Sequence, residues 1–236
     1  MLQGGFSSIL QATSREDFRC EVVRFTQDLG FNTVSAISVL DFTLGQSEFV
    51  VVNNAPLGVE SVLNDVPSMR RDPVMQHCRR NSMPIIWNQQ TYTSIGLGEI
   101  WEEQAKFGYC TGIAMALHLP EGRHFVFGVD RDKPLPVDVT ELTRLVADLQ
   151  LFAVCAQDVA MRILLPGGQS ARPSLTPREL EALRWTMDGK TAWETGVILG
   201  IAERTAVLHI NNAMHKLDCT SKHQAVLKAI RLGLIG

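Results

Sequence analysis

The side chains best suited to contact a polymer lie near the C-terminus, at helical spacing. Arg204, Leu208 and Asn211 follow one another at intervals of about one turn, so they would share a face of a helix. Arginine and asparagine can form paired hydrogen bonds with base edges, leucine can contact a thymine methyl group, and lysine or threonine can reach phosphates. The candidate DNA contacts are Lys190, Thr191, Arg204, Thr205, Leu208, His209, Asn211, Asn212 and Lys216.

Four short helices are predicted to position these residues. The segment 176–179 has the pattern of a capping box with proline at the first helical position, and it predicts a helix that stops at Gly189. Further helices are predicted at 192–199, at 203–217 and, capped by Ser221, up to residue 232. The second and third are joined by a short turn containing Gly200, which is the arrangement of a helix-turn-helix. We interpret the following apolar residues as its core: Val197, Leu199, Ile201, Val207, Ile210, Met214 and Leu217.

Charge is unevenly distributed along the chain. The net charge is −3, yet from Ala171 onward nine lysines and arginines stand against six acidic residues. A basic C-terminal part on an acidic body favours a polyanionic partner for that part.

This C-terminal stretch resembles, over nearly all of its length, the DNA-binding domain of LuxR-type quorum-sensing regulators. The resemblance implies a transcriptional regulator that binds a two-fold symmetric operator as a homodimer, with RNA polymerase as a further partner. Ala202 departs from the pattern, which usually has a capping serine at that position. The matching residues include Thr176, Arg178-Glu179, Trp185, Gly189-Lys190-Thr191, Glu194, Ile198-Leu199, Thr205, His209, Asn212-Ala213, Lys216-Leu217 and Gly233-Leu234-Ile235.

In the N-terminal part, Asp72 is the carboxylate whose sequence context most strongly indicates a specific role. It precedes Pro73, so it can cap a helix that begins there. A carboxylate that faces an apolar pocket needs a hydrogen-bond donor, so Asp72 can equally accept a hydrogen bond from a ligand. The residues alone leave both roles open.

The surroundings of Asp72 resemble the autoinducer-binding domain of the same family. The residues that carry this resemblance are Asp72-Pro73-Val74, Pro84, Trp87, Tyr92, Trp101-Glu102-Glu103, Gly108 and Gly112. The resemblance implies a domain that binds an acyl-homoserine lactone or a related small molecule, with Asp72 accepting the ligand amide N–H. The predicted ligand contacts are Val59, Leu63, Asp72, Val74, Trp87, Tyr92, Ile100, Trp101, Ile113 and Gly128.

Three positions depart from this ligand-binding pattern. Val59, Leu63 and Gly128 stand where the family usually has side chains that donate to the ligand. Each lost donor to a buried polar group costs about 1–3 kcal/mol. We therefore expect a ligand with an N–H donor and an apolar or bulky group in place of some carbonyl acceptors, and weak binding of simple lactones. A ligand-independent dimerisation module is the alternative for this domain.

The expected fold class is α+β. Strands are predicted at 33–40, 48–53, 83–87, 112–119 and 124–130, with helices from Ser14 to Gly30 and at 73–81, 98–107 and 136–163. Together with the resemblance, they imply an α/β/α sandwich with an antiparallel sheet. We place this domain at 1–163, a linker rich in glycine and proline at 164–174, and the four-helix domain at 175–236.

Other functional classes find little support in the sequence. The histidines, His77 among them, and the adjacent Glu102-Glu103 show no catalytic or metal-binding spacing, so no enzyme, metal or cofactor is expected beyond the small-molecule inducer. Five cysteines without a CxxC pair indicate reduced thiols. No apolar run could span a membrane, and no export signal is apparent, so we expect a cytoplasmic protein.

Overall fold

The computed structural model describes residues 6–43, 46–59, 70–120, 122–165 and 173–236. The chain divides into two compact units, one formed by Met1–Leu119 with Arg123–Gly168 and the other chiefly by Gln169–Gly236. Leu164 and Leu165, predicted to begin the linker, are instead buried in the core of the first unit because the preceding helix carries them onto it. Residues 166–172 of the predicted linker lie outside the described residues.

An antiparallel sheet of five strands forms the centre of the first unit, as predicted. The strands run in the order β2-β1-β5-β4-β3 across the sheet. Their bounds are β1 (Thr33–Thr43), β2 (Gln46–Asn53), β3 (Ile85–Trp87), β4 (Thr111–Leu119) and β5 (Arg123–Arg131). Their register places Thr33, Asp130, Gly112 and Trp87 in one row across four strands, and residues directly opposite one another share a face of the sheet.

Helices cover both faces of this sheet, which is the layered arrangement expected from the sequence. Among the described residues, the helices are α1 (Ser7–Leu10), α2 (Arg15–Asp28), α3 (Pro73–Arg80), α4 (Gln89–Thr93), α5 (Gly98–Ala105) and α6 (Val139–Ile163). The long helix begins at residue 139, not at the predicted 136, because the Asp138 side chain accepts the Glu141 N–H and caps it there. Helices α1 and α4 were not predicted, since four or five residues are too few to show a period.

The two faces of the sheet carry separate apolar cores. The first core packs α1, α2 and α6 against β1, β4 and β5, with the rings of Phe25 and Phe152 stacked 3.9 Å apart. The second core lies on the opposite face, beneath α3, α4 and α5. Asp72, at the start of α3, belongs to the second side.

The part of the second unit that the structure describes, 173–236, contains four helices, as predicted. They are α7 (Pro177–Met187), α8 (Ala192–Leu199), α9 (Glu203–Lys216) and α10 (Lys222–Arg231). Thr176 and Glu179 form the expected capping box of α7, and Gly200 ends α8 in the left-handed region with φ +66°. The core residues include Leu183, Ala213, Leu217, Ala225 and Ala229. In the described part of the chain, no helix is long and apolar enough to cross a membrane.

Two of the residues expected in the core of this unit are on its surface. Val197 is 64% exposed and Val207 is 39% exposed. The apolar residues of α8 surround the helix, so their period does not select an inner face, and Thr195 and Gly196 are the residues buried there. The prediction was therefore wrong for Val197. It was also wrong for Val207, which lies on α9 next to Ala206, which is buried there.

Candidate functional site

Asp72 caps α3 with one carboxylate oxygen, and the other oxygen bonds to side chains of the second core. Its Oδ1 atom accepts the backbone N–H groups of Val74 at 2.8 Å and Met75 at 3.0 Å, which caps α3. Its Oδ2 atom is turned toward the second core, where it accepts the Tyr92 hydroxyl at 3.1 Å and the Gln104 amide at 3.2 Å. The residue is only 6% exposed. One carboxylate oxygen therefore caps α3, and the other accepts hydrogen bonds from the two side chains of a buried polar group.

Gln104 is part of this polar group, although it was not predicted. It lies on α5 one turn after Ile100, so both side chains project from the same helix face toward Asp72. Its Oε1 atom lies 3.4 Å from the Tyr92 hydroxyl, while its Nε2 donates to Asp72. Burial, and then the negative charge of Asp72, raise the pKa of Tyr92 well above its ordinary value. Gln104 lies four residues after Ile100, a predicted ligand contact, and this helical spacing is the signal in the sequence that could have identified it.

Apolar and aromatic side chains surround the Asp72 group. The rings of Trp87 and Tyr92 meet edge to face, 5.9 Å apart, and the Trp101 indole donates to the Cys110 carbonyl at 3.0 Å. Of the predicted ligand contacts, the structure brings together Val59, Asp72, Val74, Trp87, Tyr92, Ile100 and Trp101. Leu63 lies outside the described residues.

The sheet contributes a floor of small residues to this site. Gly128 on β5 lies between Ala114 on β4 and Ser35 on β1, and this row faces the Asp72 side. Ile113, predicted as a ligand contact, is buried in the first core on the opposite face, because neighbouring residues of a strand point to opposite faces. Ile113 is therefore removed from the candidate site, and Ala114 takes its place.

A second acidic residue, Asp130, lies on the same face and was also missed. It is 8% exposed and stands two residues after Gly128 on β5. Burial raises the pKa of Asp130 to about 8; the hydrogen bond from Thr33 lowers the pKa, and the charge of Asp72 raises it further. A charged residue at an inward position of a strand was the signal in the sequence.

The candidate DNA contacts lie on α9 and near the starts of α8 and α9. Arg204, Leu208, Asn211 and Asn212 are exposed on α9, while Thr205 and His209 are half-buried. Ala202 occupies the N-cap of α9 without a side-chain hydrogen bond, as its departure from the family pattern implies. The exposed side chains form the surface that the helical spacing predicts.

The phosphate candidates have different surroundings. Thr191 caps α8 in a capping box with Glu194, and Lys190 precedes it. Lys216 instead donates from Nζ to the Glu179 carboxylate at 2.8 Å. Burial alone would raise the pKa of Glu179, but the hydrogen bonds from Lys216 and Thr176 outweigh it and hold this pKa below its ordinary value.

Comparison with known proteins agrees with both units. Residues 14–160 match the family described as the autoinducer binding domain, and residues 173–229 match the bacterial regulatory proteins of the luxR family. The chain is 30% identical over 222 residues to the transcriptional activator protein SolR of Ralstonia nicotianae, covering 94% of this chain and 92% of SolR. It is 27% identical over 229 residues to the transcriptional activator protein AnoR of Acinetobacter nosocomialis, covering 97% and 96% of the two chains.

Solved structures show the same fold. Escherichia coli SdiA superimposes with a TM-score of 0.74 at 23% identity, over 96% of this chain and 94% of the SdiA chain. SdiA in complex with octanoyl-rac-glycerol superimposes with a TM-score of 0.73 at 23% identity, over 97% and 93% of the two chains. The relatives are transcriptional regulators and not enzymes. The chain therefore belongs to the LuxR family of quorum-sensing transcriptional regulators, with an autoinducer-binding domain for a small molecule and a helix-turn-helix domain for DNA.

Proposed function

We propose that the autoinducer-binding domain senses an acyl-homoserine lactone or a related acyl compound, with Asp72 at the centre of its recognition. The observation that carries this proposal is the Oδ2 atom of Asp72, which is turned away from the helix that it caps and toward an aromatic cluster. A buried carboxylate oxygen of this kind forms strong hydrogen bonds with an N–H or O–H donor. Trp87, Tyr92 and Trp101 offer apolar surface for the rest of the ligand.

The ligand that we propose differs from a simple lactone at its carbonyl groups. Val59 and Gly128 border the site and offer no side-chain donor, in line with the expectation from the sequence. SdiA, which shares the fold, has been solved with octanoyl-rac-glycerol, an acyl group on a glycerol head. Related acyl compounds without the lactone ring are therefore included in the proposed class.

The ligand-independent dimerisation module remains a second candidate for this domain. Its support is that Asp72 receives four donors from within the protein, from Val74, Met75, Tyr92 and Gln104, so the carboxylate is satisfied by the chain itself. A domain of this kind folds without a small molecule.

A thermal-shift series should separate the two candidates. We expect acyl-homoserine lactones of increasing chain length, and octanoylglycerol, to raise the Tm of the full chain, because a ligand that binds the folded state stabilises it. Asp72→Ser keeps a residue that can cap α3 but removes the second oxygen, so the ligand-induced rise should fall to a small fraction. Asp138→Ala, which removes the cap of α6, is the matched control and should keep the full rise. No rise with any compound would support the ligand-independent module.

For the DNA-binding domain we propose a homodimer that acts in the cytoplasm on a two-fold symmetric operator. Two exposed apolar side chains three residues apart on α10, Leu227 and Ile230, support this helix as a dimer surface, and the exposed Val154 supports α6. Trp193 and Val197 on α8 are also exposed and apolar, which suits a protein partner such as RNA polymerase.

Substitutions in the helix-turn-helix should separate base contacts from phosphate contacts. We expect Arg204→Ala or Asn212→Ala to cost about 1–3 kcal/mol on an operator selected from random DNA and much less on non-specific DNA. Lys190→Ala should weaken binding to both and lower the salt dependence by about one unit of slope. Fluorescence anisotropy at several salt concentrations, with sedimentation of the same samples, measures affinity and the expected dimer together.

Lys133→Ala in the other domain is the control for charge alone and should leave both affinities unchanged. Equal losses on specific and random DNA for all of these variants would contradict the division of roles. A monomer with full specific affinity would contradict the dimer.

A further inference from the structure

Asp130 is a buried carboxyl group with little protein around it to satisfy it. Its Oδ2 atom is 3.5 Å from the Thr33 hydroxyl, a long hydrogen bond. No salt bridge to Asp130 is formed within the described residues, and no cation contributes to its electrostatic environment there. Buried carboxyl groups are normally paired or fully hydrogen-bonded, so this group has capacity for a further partner.

A second buried polar group with capacity for a further hydrogen bond, the Tyr109 hydroxyl, lies near Asp130. Tyr109 is 5% exposed, and its oxygen forms no hydrogen bond of normal geometry within the described residues, although the Thr33 side chain lies near it. Burial, and then the charge of Asp130, raise the pKa of Tyr109 to about 12, while a hydrogen-bonding interaction with the Thr33 side chain lowers it. Thr33 stands directly opposite Asp130 in the β1–β5 register, so it neighbours both groups. A buried hydroxyl without a close hydrogen-bond partner destabilises the fold, so this group has capacity for a partner outside the protein.

The sheet brings Asp130 to the ligand side of the domain, and Tyr109, just before β4, packs in the second core on that side. Asp130 stands in the row Trp87–Gly112–Asp130–Thr33, next to the row of small residues that contains Gly128. A Cβ atom on Gly112 would lie 2.7 Å from Asp130 Oδ1 and 2.8 Å from Trp87 Nε1. The bare glycine therefore lets the carboxyl group and the indole of a predicted ligand contact approach the same point.

We propose that Asp130 and Tyr109 form a second polar contact of the ligand site, where carboxyl and phenol donate hydrogen bonds to a carbonyl or hydroxyl oxygen of the small molecule. This inference rests on the proposed sensing function and specifies its chemistry. It supplies two donors on the side of the site where Gly128 offers none. The proposed ligand is then an acyl compound that donates a hydrogen bond to Asp72 and accepts hydrogen bonds from Asp130 and Tyr109.

The protonation of Asp130 is consistent with donation. With its pKa raised to about 8, the carboxyl group is mostly protonated at pH 7 and loses its proton as the pH rises through about 8. The other titratable groups that face it are Asp72 at the start of α3, Tyr92 on α4 and Tyr109 before β4. Both tyrosines keep their protons over this range, because burial raises their pKa values.

Titration calorimetry of the full chain tests the proposal. N-octanoyl-homoserine lactone and octanoylglycerol are the probes at pH 7. N-cyclopentyloctanamide, which has no lactone ring that could hydrolyse, is the probe from pH 6 to 9. We expect Asp130→Ala and Tyr109→Phe each to weaken binding about tenfold, the effect of one lost hydrogen bond to a buried group. Asp130→Asn keeps a donor and should bind within about threefold of wild type. Asp132→Ala, exposed just beyond β5, is the control.

Two further readouts separate ligand contact from a merely structural role. Wild-type affinity should fall as the pH rises through about 8, and Asp130→Asn should remove this dependence. Tyr109→Phe should raise the Tm of the ligand-free protein while it weakens binding, because it deletes a buried hydroxyl without a close hydrogen-bond partner.

The possible outcomes distinguish a failure of this inference from a failure of the proposed sensing function. Binding of any probe that is unchanged by Asp130→Ala and Tyr109→Phe overturns this inference and leaves the sensing function intact. Affinity that rises with pH and is lost in Asp130→Asn overturns it in favour of an ionised carboxylate that accepts the amide N–H of the probe. No saturable binding of any probe to wild type overturns the sensing function, and this inference with it.

Discussion

Lys216→Ala should unfold much of the helical domain, although the sequence suggests a simple phosphate contact. Lys216 is the charge partner of Glu179, a residue that is 3% exposed. Removing one partner of a buried ion pair costs about 3–5 kcal/mol, because the other charge stays buried and unpaired. The lower end of that range applies because the Lys216 side chain is 38% exposed. A small helical domain has few kcal/mol of stability to lose.

Hydrogen exchange of the α7 and α9 amides measures this effect directly. We expect protection to fall by about two orders of magnitude in Lys216→Ala, since 1.4 kcal/mol corresponds to a factor of ten. DNA affinity should fall equally on specific and random sequences. Lys216→Arg keeps the charge and is the matched control. A Lys216→Ala protein with wild-type protection and a reduced salt dependence of DNA binding would favour the phosphate role instead.

The pH dependence of the same pair has a defined sign. Because the pKa of Glu179 is held below its ordinary value in the folded state, the pair adds stability above the ordinary glutamate pKa and loses it as the pH falls through the lowered value. Lys216→Ala should therefore weaken the acid-induced loss of stability of the helical domain.

Gly112→Ala should destabilise the autoinducer-binding domain by several kcal/mol. The added Cβ would lie 2.4 Å from the Val129 carbonyl oxygen, a backbone atom held in the β4–β5 ladder. Neither strand can move aside without breaking its hydrogen bonds, so the substitution acts as severe overpacking. Thermal unfolding of the full chain, followed by near-UV circular dichroism, should show a much lower first transition.

Gly128→Ala is a matched control in the same sheet. It also lies in the β4–β5 ladder and faces the same side, but its Cβ would meet only the Ala114 Cβ, at an ordinary 4.0 Å. We expect its stability to stay close to that of wild type. If Gly112→Ala unfolded at the same temperature as Gly128→Ala, the register of the row that contains Asp130 would be in doubt.

Local signals in the sequence were sufficient for the secondary structure. Ser14, Thr176 and Ser221 each precede a helix and cap it, because a short side-chain oxygen can accept a free backbone N–H at that position. Alternating and helical periods predicted five strands and the longer helices, and the family resemblance predicted the order of the two domains. Helices α1 and α4 are the exceptions, because four or five residues show no period. The bounds predicted for α8 were correct, but an apolar pattern on all of its sides selected no buried face.

The sequence by itself determined the family, the α+β class and the helix cap at Asp72, since each rests on residue types at short spacing. Only the tertiary structure decided which side chains meet, because contacts across strands and between helices depend on register and on the face that each element presents. Register excluded Ile113 from the ligand side and brought Asp130 to it. Packing between α7 and α9 paired Lys216 with Glu179, 37 residues away in the chain. No local pattern encodes such distant pairs, so their chemistry became visible only in the folded protein.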